Sequence, residues 1–292
     1  MNQLFEPLNK SDFIPPPFKP ITKNSYSFFN FRFKAGAFIF TIILLFAVFG
    51  PMVSGYTYDE INLENKNLPP SKEFIFGSDE LGRDVFTRFC YGARISLSVG
   101  LIAAIIDLLV GVVYGAVAGF LGGKIEELMM RICDSLYAVP YLLYVILLTV
   151  IFNPGFITIL IALTITGWIN MARIVRAEIL KIKNQEFILA AITIGASKKR
   201  IIFNHLIPNV SSTVVTTLML SVSQAIFTEA FLSFLGLGIQ APVSSWGTMI
   251  CDGISALYYY PWRLFFPAMA ITLTILACNL MGESLKSSFR II

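Results

Sequence analysis

Charged side chains are missing from long stretches of this chain. Ala35–Tyr58 holds none, Ile95–Gly123 only Asp107, Ser135–Ala172 none, Leu206–Cys251 only Glu229, and Leu264–Gly282 none. A helix of about 20 mostly apolar residues crosses a bilayer, so each stretch has room for a crossing. Ser135–Ala172 has room for two, and Asn153-Pro154-Gly155 supplies the turn between them. The pattern predicts six spans, at about 35–54, 95–121, 132–152, 156–176, 206–235 and 264–282. The apolar runs are continuous and do not alternate, which argues for helices over a transmembrane barrel. The expected fold class is an all-α integral membrane protein.

Basic residues set the expected orientation. Sixteen of the 22 Lys and Arg fall in the N-tail, the Gly122–Arg131 loop, the long loop after the fourth span and the C-tail. The long loop alone carries Arg173, Arg176, Lys181, Lys183, Lys198, Lys199 and Arg200. Lys and Arg accumulate on the cytoplasmic side, so both termini are expected there. The 55–94 loop on the other side is acidic, with Asp59, Glu60, Glu64, Glu73, Asp79, Glu80 and Asp84. The first span has no small-residue cleavage site after it and reads as a retained anchor helix. The tail before it, with Pro15-Pro16-Pro17 and then Phe28, Phe29, Phe31 and Phe33 beside Arg32 and Lys34, reads as a flexible lead into an interfacial foot.

Composition agrees. The chain is 56% hydrophobic and 14% charged, with mean hydropathy +0.73, whereas a soluble domain carries about 25% charged residues. A soluble enzyme is excluded. The four cysteines (Cys90, Cys133, Cys251 and Cys278) form no disulfide framework and are expected as buried thiols.

Catalytic and metal-binding patterns are absent. There is no GxxxxGK[ST] phosphate loop, no HExxH and no GxSxG elbow. The single histidine, His205, cannot build a multi-histidine metal site. No catalytic residue, metal ligand set or bound cofactor is expected, so energy for transport must come from an ion gradient or another subunit.

One apolar segment stands out in the long basic loop. Glu186–Ala196 reads EFILAAITIGA between Lys181/Lys183 and Lys198-Lys199-Arg200. It is too short to span a bilayer. As a helix it places Phe187, Ala191 and Ile194 on one stripe with Ile188 beside them, Ala190 and Ala191 keep the surface shallow, and Gly195 ends it. Such a helix suits a groove on a partner, or equally the headgroup layer of the membrane.

With these residues in view a family becomes recognisable. Ala190-Ala191, Gly195 and Leu206-Ile207-Pro208 resemble the signature loop of ABC importer membrane subunits, with Leu189 where the family usually has Glu, His205 where it often has Ile and Ile207 where it often has Leu. Phe76-Gly77-Ser78-Asp79-Glu80-Leu81-Gly82-Arg83-Asp84 and Tyr91-Gly92-Ala93-Arg94-Ile95-Ser96-Leu97 resemble the outer-loop signature of its dipeptide/oligopeptide/nickel branch. The strings Glu229–Gly238 and Ser245-Trp246-Gly247 are similar to that branch too, and the likeness extends over about 74–285, closest to the second, shorter-looped permease of the pair.

The resemblance implies a type I importer permease fold in the cell membrane. It implies a heterodimer with a sister permease, two cytoplasmic ABC ATPases that hold ATP and Mg, an extracytoplasmic binding protein and a peptide substrate. No nucleic acid is implied. The coupling helix would be about 186–196, with Glu186, Phe187, Leu189, Ala190, Ala191, Gly195 and Pro208 as ATPase-coupling residues. Gly77, Asp79, Leu81, Gly82, Arg83 and Asp84 would form the extracytoplasmic motif. Residues 1–34 would be a cytoplasmic tail, 35–94 the anchor helix and outer loop, 95–285 the permease core and 286–292 a cytoplasmic tail. Nickel or another small solute on the same scaffold remains open. From a different class, a secondary transporter would need matching inverted halves, and no such pair is found.

The remaining polar residues have two readings each. Ionisable groups within spans are costly and often face a cavity or partner, so Asp107 and Glu229 are candidates for a pathway or inter-subunit contact, with a structural role favoured for Glu229. Asp134 is expected to pair with Arg131. Asp79, Arg83 and Asp84 are expected to brace the outer loop, or to touch a partner. Gly111, Gly115 and Gly119 form a small-xxx-small face suited to close helix packing.

Overall fold

The computed structural model describes residues 30–289, the last three by backbone alone. The expectations for the tail before residue 30 and for the three residues after 289 lie outside the described residues.

Five helices are long and apolar enough to cross a membrane: α1 (Phe31–Ser54), α2 (Val85–Leu121), α5 (Phe156–Ile182), α9 (Ser211–Phe234) and α11 (Trp262–Phe289). A further pair, α3 (Gly123–Ala138) and α4 (Tyr141–Phe152), is apolar enough only when taken together and is bent by 73°, the form of a broken span or a re-entrant loop. Between the crossings lie α6 (Glu186–Thr193), the short turns α7 (Lys198–Arg200) and α8 (Ile207–Asn209), and α10 (Trp246–Ser255). No β-strand occurs among the described residues.

Several boundaries differ from the sequence expectation, each for an identifiable reason. The second span begins at Val85, not 95, because the charges that seemed to end it are neutralised in place. Arg88 is buried and paired with Asp79 (3.5 Å) and Asp252 (3.8 Å), and Arg94 donates to the Ala47 and Val48 carbonyls at 2.6 and 2.9 Å. The third span is not one rod. Pro140 has no N–H for the Leu136 carbonyl, and the Tyr144 hydroxyl donates there instead at 2.9 Å. The fourth span runs on to Ile182, and α10 is a helix that the apolar pattern did not predict.

The expected fifth span at 206–235 starts only at Ser211. Pro208 removes a ladder bond, and the chain widens into a π-helical turn over Ile201–Leu206, with Ile207 N donating to Ile202 O. The Asn209 amide caps the His205 carbonyl at 2.6 Å, and the Ser211 hydroxyl caps Pro208 at 2.7 Å.

Helix α2 is the centre of the bundle. It lies parallel to α5, with Gly111 against Met171 and Trp168 O, Gly115 against Ala172 O, and Gly119 against Ile179. A Cβ at any of these glycines would collide, so the small-residue stripe brings the two backbones together as expected. Gly36 in α1 meets Ala277 and Met281 in α11, and Arg32 pairs with Glu283 at 3.6 Å. The start of α1, the ends of α2, α5 and α11, and the 183–210 segment therefore share one end of the bundle. The 55–84 loop and α10 share the other. Along α4, Leu147, Val150, Ile151 and Phe152 stay exposed, an apolar face for lipid or another apolar protein surface to cover.

Candidate functional site

At the basic end, α6 stands out from the bundle on a single pin. Ile188 is fully buried among Val175, Ile179, Ile201, Ile202 and Leu206. Phe187, Leu189, Ile192 and Ile194 are exposed, Ile194 by 86%. Ile188 thus points into the chain's own packing and does not join the outward stripe. Glu186 heads the helix, where the dipole favours a carboxylate. Leu189 is exposed, with its carbonyl accepting from the Thr193 hydroxyl at 2.9 Å. Ala191 is half-buried, and Ala190 and Pro208 are exposed.

Gly195 ends α6 for a conformational reason. Its φ of 87° lies in the left-handed region, its N–H bonds Ile192 O at 2.9 Å, and Ala196 N bonds Ala191 O at 3.0 Å. Among the described residues nothing lies within 4 Å of the place where its side chain would sit.

The last turns of α5, which lead into this segment, are tied into the bundle by basic side chains that the sequence reading used only for orientation. Lys183 Nζ donates to Gly119 O at 3.1 Å, Arg176 pairs with Glu126 at 2.5 Å, and Arg173 pairs with Asp134 at 2.6 Å. These contacts correct the expected Asp134–Arg131 pair, since Arg131 instead holds Glu127 at 2.8 Å on its own helix. Two of these ties join α5 to α3, the third joins Lys183, just after α5, to α2, and the Ile188 cluster reaches α9 through Val214.

At the opposite end, the 77–84 string folds into a buried ionic clasp. Asp79 accepts from the backbone N–H of Leu81 (2.9 Å) and Arg83 (3.0 Å) and from Arg83 Nε (2.7 Å). Asp84 caps α2 by accepting from Thr87 N at 2.8 Å. Burial raises the Asp84 carboxyl above its ordinary value, against the Thr87 bonds that pull it down. Leu81 is half-buried, and Gly77 packs on the Trp262 indole. Bracing, one of the two expected roles, is what Asp79, Arg83 and Asp84 do here. Sequence reasoning missed three participants: Arg88, Asp252 and Arg263, the last pairing with Glu80 at 3.5 Å. The Asp252 carboxyl is raised by burial and lowered by Arg88.

Both mid-span carboxylates lie inside this chain's own packing. Glu229 is fully buried and accepts from Ser96 (3.0 Å) and Ser233 (2.8 Å). Ser96 Oγ in turn accepts from Trp246 N at 3.2 Å, and Trp246 Nε1 donates to Phe89 O at 3.1 Å, so the Glu229 and Ser245-Trp246-Gly247 strings meet in one network joining α2, α9 and α10. Asp107 is buried against Gly167, where a Cβ would lie 2.5 Å from its carboxylate.

A bundle of five long apolar helices and one bent apolar pair, clasped at one end and carrying a pinned apolar knob at the other, has the build of a multi-pass membrane protein. Residues 111–289 match the family described as "Binding-protein-dependent transport system inner membrane component", and residues 30–70 match "N-terminal TM domain of oligopeptide transport permease C". The chain belongs to the family of binding-protein-dependent transport system inner membrane components. It is 54% identical to the oligopeptide transport system permease protein OppC of Bacillus subtilis over 253 residues, 87% of this chain and 83% of that protein. It is equally 54% identical to the dipeptide transport system permease protein DppC of the same organism, over 87% of this chain and 80% of that one. The oligopeptide permease OppC of Escherichia coli is 40% identical over 87% of this chain and 85% of its own length.

Proposed function

We propose that this chain is one of two membrane permeases in an ATP-driven importer of oligopeptides or dipeptides. Its basic end faces the cytoplasm, where α6 docks on one of two ATPase subunits that hold ATP and Mg. Its 55–84 loop faces outward toward a substrate-binding protein, and a sister permease completes the translocation path. The positive-inside pattern supports this orientation, and the names of the 54% identical relatives support the peptide cargo.

The observation that carries the coupling role is the division of labour within α6: Ile188 anchors it while Phe187, Leu189, Ile192 and Ile194 stay open. Switching a two-state transporter from mostly inward to mostly outward takes about 5.5 kcal/mol of differential binding. A coupling element must be held firmly enough to deliver that work, and a buried aliphatic anchor, with Lys183 tied to Gly119 O beneath it, is such a hold. The test is co-purification in mild detergent. The ATPase and the sister permease are expected to come with this chain, and Ile194→Glu is expected to release the ATPase alone. A wild-type chain that purifies without either subunit and still moves peptide would contradict the proposal.

A further inference from the structure

Between Arg94 and its end at Leu121, α2 carries a single charged side chain, Asp107, and the fold turns it into the seam with α5. Asp107 is 6% exposed and its Oδ1 is fully enclosed. Its carboxyl makes no hydrogen bond and no ion pair with any described residue. A missing side chain provides the room. A Cβ on Gly167 would lie 2.5 Å from Oδ2, 2.7 Å from Oδ1 and 2.9 Å from the carboxyl carbon, so the group lies face-on in a notch of the α5 backbone. The seam is apolar on both sides of the notch. One turn earlier Ala103 and Leu163 belong to one buried cluster, and one turn later Gly111 is closed off by Met171.

No partner of either kind reaches this carboxyl. On α5 the Thr164 hydroxyl donates to Leu160 O (3.0 Å) and Ile161 O (3.1 Å), and the Trp168 indole donates to Ile165 O (3.0 Å). The first bases on α5, Arg173 and Arg176, are held by Asp134 and Glu126 of α3. Also on α3, Arg131 holds Glu127, while Lys124 and the Cys133 thiol complete its titratable groups. On α9 the one charged residue is Glu229, bonded to Ser96 and Ser233. Further along α2, the Tyr114 hydroxyl donates to Met129 O at 2.8 Å. None of these groups acts on Asp107, where burial is the sole influence.

A carboxylate is costly in such a place without a counter-charge, a hydrogen bond or water, whereas the neutral acid is tolerated. A metal ion asks for more ligands than one carboxylate, and among the described residues no group of three His, Cys, Asp or Glu stands together. A base on another subunit has no access to an oxygen enclosed between two helices of this chain. We propose that Asp107 is a proton-binding site: in the closed α2–α5 seam it is a neutral carboxylic acid, and loss of the proton draws water into the seam and loosens it. The proton is thus a ligand of the packed bundle, bound better by the closed seam than by an opened, hydrated one, and by linkage it stabilises the closed form. This site is independent of the cargo and of the ATPase contact.

The test is infrared difference spectroscopy on the assembled complex in lipid nanodiscs. The spectrum of wild type minus Asp107→Asn is expected to show, at neutral pH, the C=O stretch of a protonated carboxylic acid. That band should shift in heavy water and fade as the pH is raised. Asp107→Ser serves for the same subtraction should Asp107→Asn fail to assemble. The melting temperature of the wild type is expected to fall by several degrees relative to the neutral variant as pH rises toward the range where the band fades, because the opened seam gives up the proton first, and to level off beyond it. A difference spectrum without the acid band at neutral pH means a carboxylate with a counter-charge and overturns the proposal. So does a band that persists to strongly alkaline pH with parallel melting curves, since the proton is then never released.

Discussion

Ile188→Ala separates the two jobs of α6. The substitution removes three carbon groups from a fully buried site. At about 0.8 kcal/mol per group the transfer loss is roughly 2.4 kcal/mol, rising toward ~4 kcal/mol where the void is not refilled. Local detachment of α6 then becomes about 50- to 700-fold more populated. The outward residues Phe187, Leu189, Ile192 and Ile194 are untouched, so the ATPase is still expected to bind. Work delivered to a loosened knob no longer reaches the bundle. In proteoliposomes the expected outcome is a fall of tenfold or more in peptide taken up per ATP hydrolysed, with hydrogen exchange of the α6 amides accelerated and ATPase stoichiometry unchanged. An unchanged uptake-to-ATP ratio together with unchanged α6 exchange would refute the anchoring role.

Three further outcomes follow from packing and capping. Gly115→Leu drives a side chain into Ala172 O and should abolish stable assembly, whereas Gly155→Ala, with open space around it, should be silent; size-exclusion profiles decide. Asp84→Asn keeps a side-chain oxygen for Thr87 N and removes the ionisable group. The native Asp84 value is raised, so the folded state binds its proton more readily than the unfolded chain does. Wild-type stability should therefore rise relative to Asp84→Asn as pH falls through the raised value toward 3.8, and parallel thermal-melt curves would contradict this. Glu229→Gln should retain bonds to Ser96 and Ser233 and near-normal uptake, while Glu229→Ala should lower the melting temperature by removing the acceptor of both hydroxyl protons; impaired uptake in a normally assembled Glu229→Gln complex would restore a pathway role.

The crossings were legible in the sequence because burial in lipid demands long uncharged runs, and the Gly111/Gly115/Gly119 stripe because only missing side chains allow α2 and α5 to touch. The start of the expected 186–196 helix was legible because a short apolar island between basic clusters has few other uses, while its end lies at Thr193, three residues earlier. The inward turn of Ile188 was not, since helical periodicity gives faces and cannot say which face meets the bundle. Arg88 and Arg94 hid the true start of α2: a charge reads as a break until its partner, 164 residues away in the case of Asp252, is known. The clasp was half legible, because Asp79 and Arg83 are close in sequence, while Asp252 and Arg263 reach it only through the fold.

Everything turns on whether the outward face of α6 meets the ATPase. A photo-reactive benzoylphenylalanine in place of Ile194, the most exposed apolar side chain of that segment, tests this in the assembled complex. The expected result is a single adduct between this chain and the ATPase, with uptake lost on illumination. Adducts with lipid alone, or an ATPase adduct that leaves uptake intact, would contradict it.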